Sequence, residues 1–335
     1  MTSRRDFTLG AAAALAATPI ATAAHAEATE LRLSRQPSIV YLPMVLLESE
    51  KLIEKHAEKA GLGPVKTTWM TFTSGGAGTD ALLAGNVDIV STGVSNQLIL
   101  WDRTKGEVKG LASISAVPMV LVTRNPNVKT LADFTATDRI AVPTVKISMQ
   151  ATVLQMAAAK LWGDANFAKL DPITVQLGHP DALAALSNPA SEINSHFSLP
   201  PFVNRELQDK NVHVVLQSND VVGGPVSNGV VFSSRRFVDA NPKLVNAFIA
   251  ALDEAMAIIR NEPLRAAEIY IAMTKERFSP DALVKEITAP GVVYATAPQN
   301  TMKIAEHMIK SGVLKTKPAS WKDYFFAAVH DRPGA

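Results

Sequence analysis

The sequence predicts an α/β protein of two lobes, each a mostly parallel sheet flanked by helices, with the last helices packed on the first lobe. Three observations lead there. From Leu31 onward, short apolar runs alternate with helical periods, the pattern that sheets with crossover helices leave in a sequence. The same rhythm starts again after Pro126. The chain has 335 residues, more than the roughly 250 to 300 at which a single core stops growing.

Taken in order, a first strand is expected at 31–33. Val45, Leu46, Leu47, Leu52 and Ile53 among charged residues predict one amphipathic helix over 44–60, stopped by Gly61-Leu62-Gly63-Pro64. A strand at 65–72, a helix at 77–84 and a buried strand at 87–90 follow, then strands at 110–114 and 119–123. In the second unit strands are expected at 139–142, 173–177, 192–197 and 212–217, with helices at 150–162, 181–186 and 201–209. A strand at 229–233 precedes Asn241-Pro242, a cap followed by proline at the first helical position, which opens a helix over 243–260. Further helices are expected at 264–274, 280–286, 299–311 and 321–326. The simplest division gives the first lobe residues 27–121 and 222–335 and the second 122–221. Two crossings join them and leave a cleft, a preferred place for a small ligand.

The start of the chain reads as an export signal over 1–26. Arg4-Arg5 with Phe7 suggests the twin-arginine route, an uncharged alanine-rich run fills 8–24, and Ala24-His25-Ala26 predicts cleavage after Ala26. Broken by threonines and Pro19, the run falls short of the ~20 residues of a spanning helix. A periplasmic location follows. The chain has no cysteine, which excludes disulfides, a lipidated cysteine, a thiolate nucleophile and cysteine-ligated zinc. Loss of Arg4, Arg5 and Asp6 lowers the formal charge from +2 to about +1, without the clustered basic footprint that nucleic acid requires.

The polar turns carry the functional signal. Ser74-Gly75-Gly76 lies between an expected strand and helix, where free N–H groups attract anions and glycine lets a ligand approach. An ordinary turn with Ser74 as cap is the alternative. Ser91-Thr92-Gly93-Val94-Ser95 repeats the arrangement, and residues 144–150 offer Lys146, Ser148 and Gln150 in the second lobe. Ligands of open α/β sheets bind beyond the carboxyl ends of strands, so three such turns favour one shared site. His179-Pro180-Asp181 reads as a strand end with Asp181 capping the next helix.

Gln36, Phe72-x-Ser74-Gly75, Leu82-x-Ala84-Gly85-Asn86-Val87-Asp88-Ile89 and Thr92-Gly93 resemble the nitrate, sulfonate and taurine (NMT1/THI5-like) group of ABC-importer substrate-binding proteins. The likeness continues through Leu131-Ala132-Asp133-Phe134, Ile140-Ala141-Val142 and residues 181–186 to Pro200-Pro201-Phe202, covering nearly all of the chain after the signal. It implies a type II periplasmic binding fold that closes on a small anionic ligand and delivers it to a membrane permease and its ATPase. A monomer is expected, with no cofactor, metal or nucleic acid. The resemblance puts Gln36, Ser74, Gly75, Thr92 and Ser95 of one lobe and Ser148 and His196 of the other on the ligand. Members of the group often carry a tryptophan and an acidic residue where this chain has Asn194-Ser195-His196-Phe197-Ser198, which argues against an ammonium-bearing ligand such as taurine. A core role for His196 stays open.

Catalytic signatures are missing. There is no Gly-x-Ser-x-Gly elbow and no His-Glu-x-x-His, and the histidines are scattered. No helix-turn-helix precedes the first strand. The alternative to import is a periplasmic enzyme or sensor using the same cleft, such as a pyrimidine-precursor binding or processing protein, although pyrimidine-precursor synthases of this fold resemble a pattern with a cysteine cluster.

Overall fold

The structure is a computed structural model that describes residues 27–335; the expected export signal lies outside them. β1 (Glu30–Arg35) leads through α1 (Leu42–Ser49) and α2 (Leu52–Lys59) to its parallel partner β2 (Lys66–Thr71). α3 (Gly75–Leu83), β3 (Val90–Thr92), α4 (Val94–Arg103) and β4 (Val108–Ser115) complete the first pass. The middle of the chain supplies β5 (Val120–Thr123), β6 (Ile140–Val142), α5 (Met149–Trp162), β7 (Thr174–Gln176), α6 (His179–Ser187), β8 (Ser195–Ser198), α7 (Phe202–Glu206), β9 (His213–Gln217) and α8 (Ser218–Val222). The return consists of β10 (Gly229–Ser234), α9 (Arg235–Ala240), α10 (Pro242–Asn261), α11 (Pro263–Thr274), α12 (Pro280–Ile287) and α13 (Thr301–Lys310).

The strands sort by chain segment. A five-stranded sheet in the order β7-β6-β8-β5-β9 uses only the middle segment. The remaining strands form β1-β2 and β3-β10-β4, and a parallel bridge between Leu33 and Ile89 joins these into one layer, β2-β1-β3-β10-β4. Both layers therefore follow one plan: second, first and third strands of the unit, then a strand that has just crossed from the other lobe, then the fourth.

The crossing strands make the sheets mixed, where mostly parallel sheets were expected. β10 runs antiparallel to β3 and β4, and β5 antiparallel to β8 and β9, while β1-β2, β6-β7 and β6-β8 are parallel. A parallel neighbour needs a crossover helix, and these two strands arrive by short links from the other lobe.

Several elements differ from expectation. The helix expected over 44–60 is two, because Lys51 adopts a left-handed conformation (φ 50°) between α1 and α2. The strand expected at 87–90 begins at Val90, and the residues expected as helix over 321–326 form only a 3-10 turn, Trp321–Asp323. α4 is an unexpected helix: Val94 to Trp101 are all buried, so no polar face betrays a helical period. Asn241 stands before α10 but does not cap it. Its side chain accepts from the Ala28 N–H (2.7 Å), and the Glu27 carboxylate instead accepts from Lys243 (3.0 Å) and Leu244 (2.8 Å).

α10 buries Leu244, Phe248, Leu252, Ala255 and Ile259 at three- and four-residue spacing, one helical face turned to the core. It packs on α1, α2 and α11 of the first lobe, while α13 packs on α4 and also on α5 of the second. Among the described residues no helix is long and apolar enough to cross a membrane.

Candidate functional site

Four helices begin at one place. Gly75 opens α3, Gly93 precedes α4, Ser148 precedes α5 and His179 is the first residue of α6. All four line a single cavity of ≈ 30 Å³ between the lobes. Each helix follows a strand of its own sheet, so the carboxyl edges of both sheets converge there. The first-turn N–H groups of a helix have no intrahelical partner, and its dipole places partial positive charge at this end. The volume admits about two water-sized bodies, the scale of a compact head group. None of the lining side chains is Asp, Glu, Lys or Arg.

Close packing explains the glycine turn. A Cβ on Gly75 would lie 2.2 Å from Thr92 Oγ1 and 2.9 Å from Asn96 Oδ1, so any side chain there would displace two polar groups of the wall. At Gly178, before α6, a Cβ would sit 3.0 Å from Thr73 Cβ of the facing lobe. Glycine lets the two lobes approach.

The expected site residues divide. Gln36, Gly75, Thr92 and Ser148 line the cavity. Gln36 Nε2 donates to Tyr41 Oη (2.9 Å) and the Ser91 carbonyl (3.3 Å). Burial holds the Tyr41 phenol well above its usual range, partly offset by a bond with Thr92, so it stays a neutral donor. Ser148 also caps α5, accepting from the Ala151 N–H at 3.2 Å. Ser74, Ser95 and His196 are not among the lining residues. Ser74 caps α3, accepting from Ala77 at 3.3 Å, and faces a separate open recess of ≈ 510 Å³. Ser95 is fully buried, donating to Met149 Sδ (3.0 Å) and accepting from Thr152 Oγ1 (3.1 Å) across the lobes.

His196 lies behind the wall. It sits in the middle of its sheet, opposite Val122 of β5 and Ala141 of β6, with no exposed surface. Its Nδ1 is 2.5 Å from Glu206 Oε1 and its Nε2 is 2.9 Å from Nδ1 of His179. His179 is the histidine at the cavity: its Nε2 is 3.2 Å from Gln150 Nε2, and its ring stacks on Phe202 at 5.5 Å. Burial, and then the neighbouring His196, hold His179 well below the usual histidine range.

His179 was expected at a strand end with Asp181 as a cap. It belongs to the first turn of α6, whose preceding residue is Gly178, and Asp181 is exposed. Pro180 carried the signal, since proline favours the first helical turn. Asn96, Asn228, Ser38 and Tyr41 also line the cavity without having been singled out. Asn228 is tied to the crossing between β4 and β5, bonding the Val117 N–H (2.9 Å) and carbonyl (2.7 Å).

No family model matches the chain, and no curated protein matches it in sequence. Solved structures do. The alkanesulfonate-binding protein SsuA from Xanthomonas axonopodis pv. citri, bound to MOPS, superposes with a TM-score of 0.69 at 18% identity, covering 87% of this chain and 96% of its own. The fold is that of the periplasmic binding proteins. The aliphatic sulphonate binding protein SsuA of Escherichia coli shares this binding-protein fold (TM-score 0.62, 19% identity, 86% of this chain and 94% of its own). So does the nitrate-binding protein NrtA of Synechocystis PCC 6803 (TM-score 0.63, 14% identity, 89% and 84%). In the present binding-protein fold the cavity lies between the two lobes and is walled by both.

Proposed function

We propose that this chain is the solute-binding component of an ABC importer, capturing a small oxyanion between its lobes and handing it to a membrane permease and its ATPase. The observation that carries the proposal is the convergence of four helix N-termini on one cavity without a carboxylate. Such an arrangement favours negative charge, distributes it over backbone and neutral side-chain donors, and leaves an ammonium group without a partner. The cavity's size suits a nitrate, carboxylate or sulfonate head and excludes a large ring. Gln36, Gly75, Thr92 and Ser148 are the expected contacts, together with Asn96, Gln150 and His179. Ser95 and His196 act from behind, and Ser74 holds α3.

In this reading the lobes, near the expected division at residues 122 and 221, swing about the crossings at 116–119 and 223–228. Closure then adds affinity according to how much better the closed form contacts the ligand. The similar solved structures of sulfonate- and nitrate-binding proteins support the reading, as does the export signal expected over 1–26, with the periplasm as the place of capture.

Thermal unfolding of residues 27–335 against nitrate, methanesulfonate, acetate, taurine and a pyrimidine tests this. A bound oxyanion at about 100 times its Kd adds ~2.7 kcal/mol to stability. The pyrimidine alone stabilising the protein, or consumption of the ligand during incubation, would replace the import reading with that of a periplasmic enzyme or sensor.

A further inference from the structure

Glu206, His196 and His179 form an unbroken hydrogen-bonded line from α7 through β8 to the cavity wall, ending on Gln150. His196 and Glu206 have no exposed side-chain surface, and the second carboxylate oxygen, Oε2, has no hydrogen-bond partner among the described residues. The line has two proton arrangements. With both histidines neutral, His196 Nδ1–H donates to Glu206, His179 Nδ1–H donates to His196 Nε2, and His179 turns a bare Nε2 lone pair to the Gln150 amide. With one more proton, His196 is doubly protonated against the Glu206 carboxylate and its Nε2–H donates to His179 Nδ1. His179 stays neutral but now carries its proton on Nε2, as a donor facing the cavity.

We propose that anion capture in this cavity is coupled to uptake of one proton by the Glu206–His196 pair, which switches His179 from hydrogen-bond acceptor to donor. This rests on the oxyanion reading above. The charge argument is direct: an anion beside a buried carboxylate and two neutral imidazoles leaves two negative charges in a dry interior, and one added proton leaves a single one. His179 itself resists protonation, because burial and His196 disfavour its charged form. The extra proton therefore resides between His196 and Glu206, and the signal reaches the cavity as a tautomer change.

Among the described residues on the elements packed against this line, no other charge substitutes for it. Arg205 on α7 pairs with Glu276, and Asp181 on α6 is exposed. Asp138, just before β6, is held by Asn125 (2.7 Å) and Asn194 (2.8 Å), and Arg139 pairs with Glu192. β5 contributes Val120 to Thr123, none of them titratable, α5 presents Gln150, and Tyr41 across the cavity is neutral. Glu206 and His196 are positioning residues; His179 is the contact.

Calorimetric titration of methanesulfonate and nitrate into residues 27–335, in buffers of different ionisation enthalpy between about pH 6 and 9, measures the number of protons taken up on binding. The complex holds the proton more tightly than the free protein, so affinity falls as pH rises between the two midpoints, by up to about tenfold per unit, and uptake peaks there, approaching about one proton. Glu206→Gln keeps the shape and can turn its amide N–H to His196, reversing both tautomers without net protonation. The variant is expected to bind with no proton uptake and a flat pH profile, its folding verified by an unaltered circular dichroism spectrum. Binding by the wild type without proton uptake at any pH would overturn the coupling and leave the oxyanion reading standing. Binding of neither anion at any pH would overturn both.

Discussion

Gly75 and Ser74 are adjacent and have different roles. Gly75 is glycine because Thr92 and Asn96 occupy the space a side chain would need, whereas Ser74 holds the first turn of α3 through a bond to Ala77 and looks away from the cavity. Ser74→Ala is therefore expected to cost about 1 kcal/mol of stability, the usual worth of a cap, and to leave anion affinity unchanged. Chemical unfolding paired with an affinity measurement separates the two; a large loss of affinity would return Ser74 to the ligand. Thr92 is only 2% exposed and belongs to the packed wall. At this scale the sequence was informative where the signal is local. Glycine and hydroxyl residues at strand-to-helix turns marked Gly75, Thr92 and Ser148. His179 was read as a strand end because its meaning depends on His196, Glu206 and Gln150, which only the folded chain brings together.

Elements show the same division between local and tertiary causes. Most helices and strands of the second lobe and the C-terminal region were legible from apolar period and from Gly and Pro. α4 was not, because a helix buried on every side has no polar stripe to set its period. The break between α1 and α2 at Lys51 carries no glycine or proline to announce it. The start of α10 was placed correctly for an incomplete reason. Proline is in its expected first turn, but the orphan N–H groups are satisfied by Glu27 from the far end of the chain. Its negative charge at a helix N-terminus adds to the bonds. Glu27→Ala is expected to lower the unfolding free energy by about 1 kcal/mol without touching affinity. An unchanged unfolding midpoint would mean that Asn241 or water takes over the cap.

At the scale of the whole molecule, two sheets share one strand plan although the sequence shows no repeat, and it is their carboxyl edges that face each other. Bonds across the gap hold the lobes together around the cavity. Ser38 Oγ donates to the Pro200 carbonyl (2.8 Å), Thr152 reaches Ser95 (3.1 Å), and Asn204 donates to Glu286 (2.6 Å). Arg205 and Glu276 add an ion pair. The site is thus a property of the assembled lobes, which is why single turns were weak signals in the sequence and their convergence is the stronger one. The most direct test is an equilibrium titration of nitrate and methanesulfonate into the wild type and into His179→Phe, which retains a ring to stack on Phe202 and removes both nitrogens. The account predicts that the wild type binds at least one of the two and that the variant, still folded, binds more than tenfold more weakly, a difference above ~1.4 kcal/mol. Equal affinity in the two proteins would place the anion somewhere other than this cavity.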